Sequence, residues 1–594
     1  MRSDRNYWVT LSLCAAVGGT LAARSFGQAG TGNTGTPWPA TDGLGRKLPL
    51  SDEVGPPRAD RFVGIFYFLW LNERHNKSPH GDGPFDVARI LAKDPDALKK
   101  PDSPLWGPIG TSHYWGEPLY GYYLSTDPWV LRRHAHALAD AGIDTLIFDT
   151  TNALTYPEVY MRLCEVFGQV RKEGGRTPQI AFMLNTQAGR TAEKIYQELY
   201  QPGLYRELWF QWQGKPLMIC DPKEARAELQ RFFTLRKAHW PFELVNTPYA
   251  WHWESTYPQV YGYTDDPTRP EQVNVAVAQN LRASDGKVTN MSRGDARGRS
   301  FHNGKMDPTP GAVNQGYNAA EQWKRAIELN PPFVMVTGWN EWIAGRWGQP
   351  GGAIEFVDQF NQEYSRDIEP MRGGHIDHYY WQLVANVRRF KGTPPLPNSS
   401  PPASIRLDDH FQSWQGVEPE FPDHLGETTP RDGQGAAGLR YTNHTGRNDL
   451  AAAKVARDPQ NVYFYVRTRE PITPSTDPHW MWLLINADQN ATTGWEGYDF
   501  IANRTVATGD TTWLERNRGG WNWEKVAKIR FAAQGCELQL AAPRAALGLP
   551  EDTTALAIDF KWADNVQKPG DILDFLVSGD TAPDGRFAFR YSAR

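Results

Sequence analysis

Between residues 58 and 390 the sequence alternates short apolar runs with helical segments, and each run ends in polar or aromatic residues. Phe62 to Trp70 opens the series. Ile143 to Phe148, Gln179 to Leu184, Lys215 to Ile219, Phe242 to Asn246 and Phe333 to Val336 continue it, with Gln259 to Tyr261, Gln272 to Ala278 and Lys287 to Met291 as weaker members. Helices are predicted between them. Thr126 or Asp127 caps one that has Pro128 in its first turn and Gly142 after its end. Others run from Pro157 to Arg171, after Thr191, from Glu224 to Ala238, from Tyr317 to Leu329 and from Ala353 to Tyr364. Short β-branched runs suit strands buried on both faces, and strand–helix repetition suits a parallel sheet. Seven or eight such strands predict an α/β fold, a (β/α)8 TIM-type barrel, over residues 58–390. A doubly wound open sheet is the competing arrangement, but the first strand is followed by no Gly-rich phosphate turn.

In a parallel barrel the C-terminal strand ends carry the chemistry. The last run ends in Gly338-Trp339-Asn340-Glu341-Trp342, with Arg346 and Trp347 one turn beyond. An apolar wall of indoles raises a carboxyl pKa, and indole faces stack on sugar rings. Glu341 is therefore either an acid/base group or a buried acid paired with Arg346 beneath core tryptophans. Glycoside cleavage needs a proton donor and a second carboxylate about 5 to 10 Å away. Two strand-end acids qualify: Asp149, followed by Thr150, Thr151 and Asn152, and Glu254, in the cluster Trp251-His252-Trp253-Glu254. Asp149 can equally cap its own loop, and Asp221 belongs to an Asp-Pro turn. Glu341, Glu254 and Asp149 are the candidate catalytic residues. Tyr67, Trp70, Asn152, Asn185, Trp251, His252, Trp253, Trp339, Asn340, Trp342 and Arg346 are the candidate sugar contacts; His252 can instead be a hydrogen-bonded scaffold residue. In the long segment from Asn72 to Gly121, His113, Tyr114, Trp115 and Glu117 either wall a cleft or pack the loop on itself. The run Ser365-Arg366-Asp367-Ile368-Glu369-Pro370 reads as an ion-paired clasp closing the barrel. No Ser-His-Asp elbow, zinc helix or phosphate loop occurs, and no cofactor is expected for catalysis.

The first strand Phe66-Tyr67-Phe68-Leu69-Trp70, the Asp149-Thr150-Thr151-Asn152 strand end and the Gly338–Trp342 strand end together resemble glycoside hydrolase family 99 and its family 71-like and WbsX-like relatives. The resemblance spans the barrel and implies a (β/α)8 endo-acting, retaining glycosidase. It implies that Glu341 assists at the sugar 2-hydroxyl and that Tyr67 lines the subsite. The family pattern has a second glutamate three residues after the first, as general acid/base; here Ala344 stands in that place, so either another carboxylate supplies the proton, or the chemistry is altered, or the barrel is a non-catalytic glycan-binding protein, with a factor in surface polysaccharide assembly as a further alternative.

The remaining sequence sets the context. Arg2 and Arg5 precede an apolar segment from Trp8 to Ala23, so residues 1–30 read as an export signal and the start of a flexible arm, and a periplasmic or extracellular location is expected. No later stretch is long and apolar enough to span a bilayer. A net charge of −5 without charge runs gives no footing for nucleic acid. Twenty-four Trp, 24 Tyr and 26 Phe fit a polysaccharide or oligosaccharide partner, or an aromatic core. Oligomeric state is left open. Cys164, Cys220 and Cys536 are too widely spaced for a disulfide framework. Residues 391–404 form a Pro-rich linker. Beyond it Asn461 to Arg467, Met481 to Asn486, Ala555 to Trp562 and Ile572 to Val577 predict a β-sandwich over 405–594. Its Leu484–Asn490 and Gly494–Asp499 segments resemble a carbohydrate-binding module of family 9, which often carries structural calcium. The resemblance makes Asp488 and Asp499 candidate calcium ligands beside Asn486 and Asn490; an ordinary turn explains them equally. Trp480, Trp495, Trp521 and Trp523 are sugar platforms or core.

Overall fold

The structure is a computed structural model of the 594-residue chain that describes residues 32–72, 81, 83–506, 509–551 and 553–593. The expected export signal lies outside the described residues. Eight parallel strands build a barrel: β1 (Phe62–Tyr67), β2 (Thr145–Asp149), β3 (Gln179–Met183), β4 (Lys215–Ile219), β5 (Thr234–His239), β6 (Ala250–His252), β7 (Gln272–Ala276) and β8 (Phe333–Thr337). They pair in the order β6-β5-β4-β3-β2-β1-β8-β7. A side chain bridges the seam between β6 and β7. The Gln272 amide accepts from the His252 N–H at 2.8 Å and donates to the His252 carbonyl at 2.9 Å, reproducing a ladder rung.

Both faces of these strands are buried, which is why the runs do not alternate. On β1, Val63, Ile65 and Tyr67 face the helices, while Phe66 and the following Phe68 fill the barrel with Ile147, Met183, Trp251 and Phe333. Gly64 lies where a Cβ would come within 2.7 Å of Phe333 and 2.9 Å of Ile147, so only glycine lets the barrel close around those side chains.

The helices that bear on the barrel and its contacts are α1 (Pro128–Asp140), α2 (Pro157–Lys172), α3 (Ala188–Ile195), α4 (Ala227–Phe232), α5 (Tyr317–Leu329) and α6 (His378–Lys391), beside the short helices Ser51–Val54, Val87–Lys93 and Ala312–Gln315. Asp127 caps α1 by accepting the Trp129 N–H at 3.0 Å. Several expectations need correction. The helix expected over Glu224 to Ala238 stops at Phe232, and the chain continues as β5. Polar letters hide that strand, because its Arg236 is neutralised inside by Glu271 at 2.6 Å. The apolar run at Phe242 is instead an exposed turn, with Leu244 98% accessible. Residues 250–252, expected in a loop, form β6. Residues 353–364 are not helical; Phe356 and Phe360 are buried at helical spacing in an irregular segment. The candidates at 259–261 and 287–291 reduce to the short strand Tyr261–Gly262 and a single bridge at Val288.

The C-terminal half is antiparallel and all-β: β9 (Phe421–Pro422), β10 (Leu450–Arg457), β11 (Asn461–Thr468), β12 (Trp482–Asn486), β13 (Phe500–Val506), β14 (Thr511–Asn517), β15 (Trp523–Gln534), β16 (Glu537–Pro543), β17 (Leu556–Asp564), β18 (Asp580–Ala582) and β19 (Phe589–Ala593). They form one ladder, β9-β10-β11-β16-β15-β14-β13-β12-β17-β18, with β19 also on β17. The ladder folds over itself. Phe464 of β11 meets Phe560 of β17 at 5.8 Å, and Phe421 of β9 packs on Phe560 and Phe589. The segment expected as a strand at 572–577 is a 3-10 turn, Ile572–Leu576, capped by Asp571.

Residues 392–404 carry neither helix nor strand, and Thr393 within them is fully buried. Arg431 donates to Asp127 and to the Tyr120 carbonyl at 2.8 and 2.9 Å, tying the β-half to the barrel. Residues 32–57 are irregular apart from the short helix Ser51–Val54, and they are pinned: Lys391 holds the Asn33 and Gly142 carbonyls and the Asp144 carboxylate. Residues 32–594 are thus one compact unit. No helix among the described residues is long and apolar enough to cross a membrane.

Candidate active site

After β8 the chain turns sharply, and Asn340 fixes the turn. Its amide accepts the Phe68 N–H at 2.9 Å and donates to the Phe68 carbonyl at 3.2 Å, extending the β1–β8 pairing by a side chain. Glu341 follows. Its backbone N–H donates to Asp367, whose other oxygen accepts the Trp115 indole N–H at 2.6 Å. Glu341 Oε2 accepts Gln359 Nε2 at 2.6 Å and Arg366 Nη2 at 3.0 Å. Two residues past β6, Glu254 is held near β8 because the Thr337 hydroxyl donates to the Trp253 carbonyl at 2.9 Å. Arg366 Nη1 lies 3.9 Å from Glu254 Oε1, and the guanidinium stacks 4.7 Å above the Trp253 ring. One arginine therefore spans two carboxylates, whose nearest oxygens are no more than about 9 Å apart. Asp149 ends β2 at the same mouth, its Oδ1 accepting from the Thr151 N–H and hydroxyl at 3.1 and 2.8 Å.

The cluster is nearly dry. Glu254 is 0% exposed, Arg366 1% and Glu341 4%, whereas the Asp358 side chain, 3.6 Å from Arg366, is 47% exposed and marks the solvent side. Burial pushes Glu254 up to about 7; Arg366 and the Asn280 backbone oppose it, and Asp358 adds to it. Burial also raises Glu341 well above the usual carboxylate range against the pull of Arg366, and raises Asp149. Asp367 is pushed to about 7, again by burial. The two glutamates share one permanent cation. Glu341 holds the charge-assisted hydrogen bonds, and neither Glu254 oxygen closes a hydrogen bond among the described residues. Those hydrogen bonds favour charge on Glu341 over Glu254.

Glu341, Glu254 and Asp149 thus meet at one mouth, with Trp253 as part of its floor and Trp70 half-buried beside Phe68. Asn185 is exposed at the rim, accepting the Trp240 indole N–H at 2.8 Å, and Asn152 is exposed. The other expected sugar contacts lie elsewhere. Tyr67 points outward to the helices and meets His134 at 2.8 Å. Trp342 stacks on Trp115 at 4.8 Å and donates to Glu369, and Trp339 is buried between His134 and Tyr380. Trp251 sits on the barrel floor against Phe333, donating to Glu271, and His252 stacks on His239 at 4.2 Å. Arg346 donates to the Gly107 and Pro101 carbonyls and does not pair with Glu341. His113 is buried among Phe85, Trp106 and Phe356, so that part of its loop packs on itself.

The 365–370 run is not a peripheral clasp, because its Arg366 and Asp367 organise the mouth. Sequence reasoning missed them, along with Asp358 and Gln359. The only signal available was a dense charge run next to apolar residues. Ala344 lies in the strand Ile343–Gly345 paired with Ser112–Tyr114, and the acid facing Glu341 across Arg366 is Glu254. In the β-half, Asp488 is exposed, accepting from the Asn490 N–H at 2.8 Å and the Thr493 hydroxyl, and Asp499 accepts the Ala487 N–H at 2.9 Å. These are bonds of a turn.

No protein-family model matches the chain, and no curated protein matches it. Among solved structures it is similar to the GH99 endo-alpha-mannosidase from Bacteroides thetaiotaomicron, at 14% identity and a TM-score of 0.34, over 56% of this chain and 97% of that one. The same enzyme with bis-tris-propane gives 13% and 0.30, over 55% of this chain and 97% of that one. A Thermotoga maritima alpha-L-fucosynthase gives 10% and 0.23, over 87% of this chain and 97% of that one.

Proposed function

We propose that this chain is an exported glycoside hydrolase acting on a polysaccharide or oligosaccharide, with Glu254 as proton donor and Glu341 as the charged partner. The observation that carries the reading is the single guanidinium of Arg366 between two buried carboxyls at the C-terminal mouth of a parallel barrel. That geometry places two chemically alike side chains unequally about one cation, at 3.0 and 3.9 Å, which is the asymmetry that the opposite protonation states of glycosidic cleavage call for. Glu254 protonates the leaving oxygen while Glu341 stabilises the positive charge developing on the sugar, as base, nucleophile or partner of a ring hydroxyl. Asp358, 47% exposed and 3.6 Å from Arg366, stands on the solvent side, so substrate displaces it on entry.

A second reading is a glycan-binding protein on the same barrel. The complete burial of Glu254 and the alanine at 344 favour it. Release of reducing ends from a glycan panel separates the two. The hydrolase reading expects release by the wild type and at least a hundredfold loss in Glu341→Gln with binding retained. Binding without release from any glycan in the panel would overturn it in favour of the second.

A further inference from the structure

Where the β-half meets α1, the fold buries a second group of acids that the barrel chemistry does not use. Asp423 and Glu427 follow β9, Asp580 opens β18, and oxygens of all three lie within 4.8 Å of one another. Glu427 is 2% exposed and Asp580 3%. Glu427 Oε1 accepts Arg133 at 2.8 Å and His136 at 3.1 Å, but its Oε2 has no hydrogen-bond partner among the described residues, and neither has Asp423 Oδ2. Asp580 accepts the Leu450 and Thr581 N–H groups.

The surrounding charge does not balance. Asp449 and Asp584 add two more carboxylates. The cations facing the group are Arg133, Lys561, whose ammonium donates to the Pro583 carbonyl, and His424, whose imidazole bonds Asp140 at 3.0 Å; Arg469 lies 3.6 Å from Asp449 and 4.0 Å from Glu173, and Arg132, which also acts on Asp449, is bonded to Glu173. A buried carboxylate oxygen left without a donor is costly, and a hard cation relieves several at once.

We propose that Asp423, Glu427 and Asp580 form a binding site for a hard divalent cation of the calcium class, locking the β-half against α1 of the barrel. Three carboxylates supply the all-oxygen donor set such an ion takes. The adjacent His136–His424–Asp584 group offers nitrogen donors, but its rings stack face to face at 4.1 Å and each already commits one nitrogen, to Glu427 and to Asp140. The occupant is therefore assigned to the carboxylates.

The test uses the full chain, stripped with a chelator and titrated with Ca2+ by calorimetry and by melting. Calcium binding with a rise in Tm is expected in the wild type and in Asp488→Asn. Asp423→Asn and Glu427→Gln should weaken apparent affinity about tenfold or more. Asp423 is half-buried and free of Arg133, so its variant carries the test if Glu427→Gln fails to fold. Three results overturn the proposal: no binding at millimolar Ca2+; binding lost in Asp488→Asn but kept in Asp423→Asn; or preference for Zn2+ that His424→Ala abolishes.

Discussion

Glu254→Gln isolates the feature on which the proposed chemistry rests, because glutamine keeps the volume and removes only the ionisable proton. In the folded chain this carboxyl titrates near 7 rather than at its ordinary 4.5. At 1.36 kcal/mol per pH unit the shift corresponds to about 3 kcal/mol. The raised value means that the native state holds the proton more tightly than the unfolded chain between those two limits. The contribution of Glu254 to wild-type stability is thus fullest below about pH 4.5, falls as pH rises toward about 7, and is flat beyond. The glutamine variant lacks this contribution, while Asp367, also pushed to about 7, keeps its own in both proteins. Urea melts across this range should show wild type and variant equally stable near pH 4, with the variant ahead by about 3 kcal/mol near pH 8. Activity should move the other way. On any glycan the wild type cleaves, kcat/KM should decline tenfold per unit above about pH 7 as the donor ionises. The variant should lose about 10²–10⁴-fold, and less on substrates with acidic leaving groups. A pH-independent stability gap, or a variant less stable near pH 8, would refute the assignment of a protonated buried acid.

The other expectations follow from the same contacts. Arg366→Met leaves two buried acids without their cation and should cost about 3–5 kcal/mol near neutral pH, with the loss shrinking in acid as both protonate; denaturation at two pH values reads it. Gln359→Ala removes a buried hydrogen bond to Glu341 and should lower stability by about 1–2 kcal/mol, read by urea melts. Lys391→Met strands Asp144 beneath the N-terminal stretch and should cost about 3–5 kcal/mol near pH 8 but less near pH 4, as seen by melting.

What the sequence disclosed followed the strength of local signals. Lys215–Ile219 and Tyr317–Leu329 fall where the apolar pattern places them, because burial on two faces or one face writes itself into the letters. β5 did not, since Arg236 enters the interior only by virtue of Glu271, 35 positions away. Phe356 and Phe360 misled in the opposite sense: side chains four apart can be buried from a loop that crosses a neighbouring cluster. At the mouth, Glu341 and Glu254 were visible as acids flanked by indoles. Their connection was not. Arg346 is the nearer arginine in sequence and binds carbonyls, whereas Arg366 arrives from a segment that appears merely charged.

That difference bears on how the two acids acquire unlike roles. Indoles alone would lift both pKa values together and leave two neutral carboxyls. A cation shared unequally breaks the symmetry, and its inequality is set by Asn340 and Asp367, which fix the backbone of Glu341 so that its carboxylate meets Nη2 at 3.0 Å while Glu254 stays at 3.9 Å. Asp367 is thus a positioning residue. Its replacement by asparagine keeps one acceptor for the Glu341 N–H yet weakens the hold, so it should shift the pH profile of activity before it abolishes the activity itself.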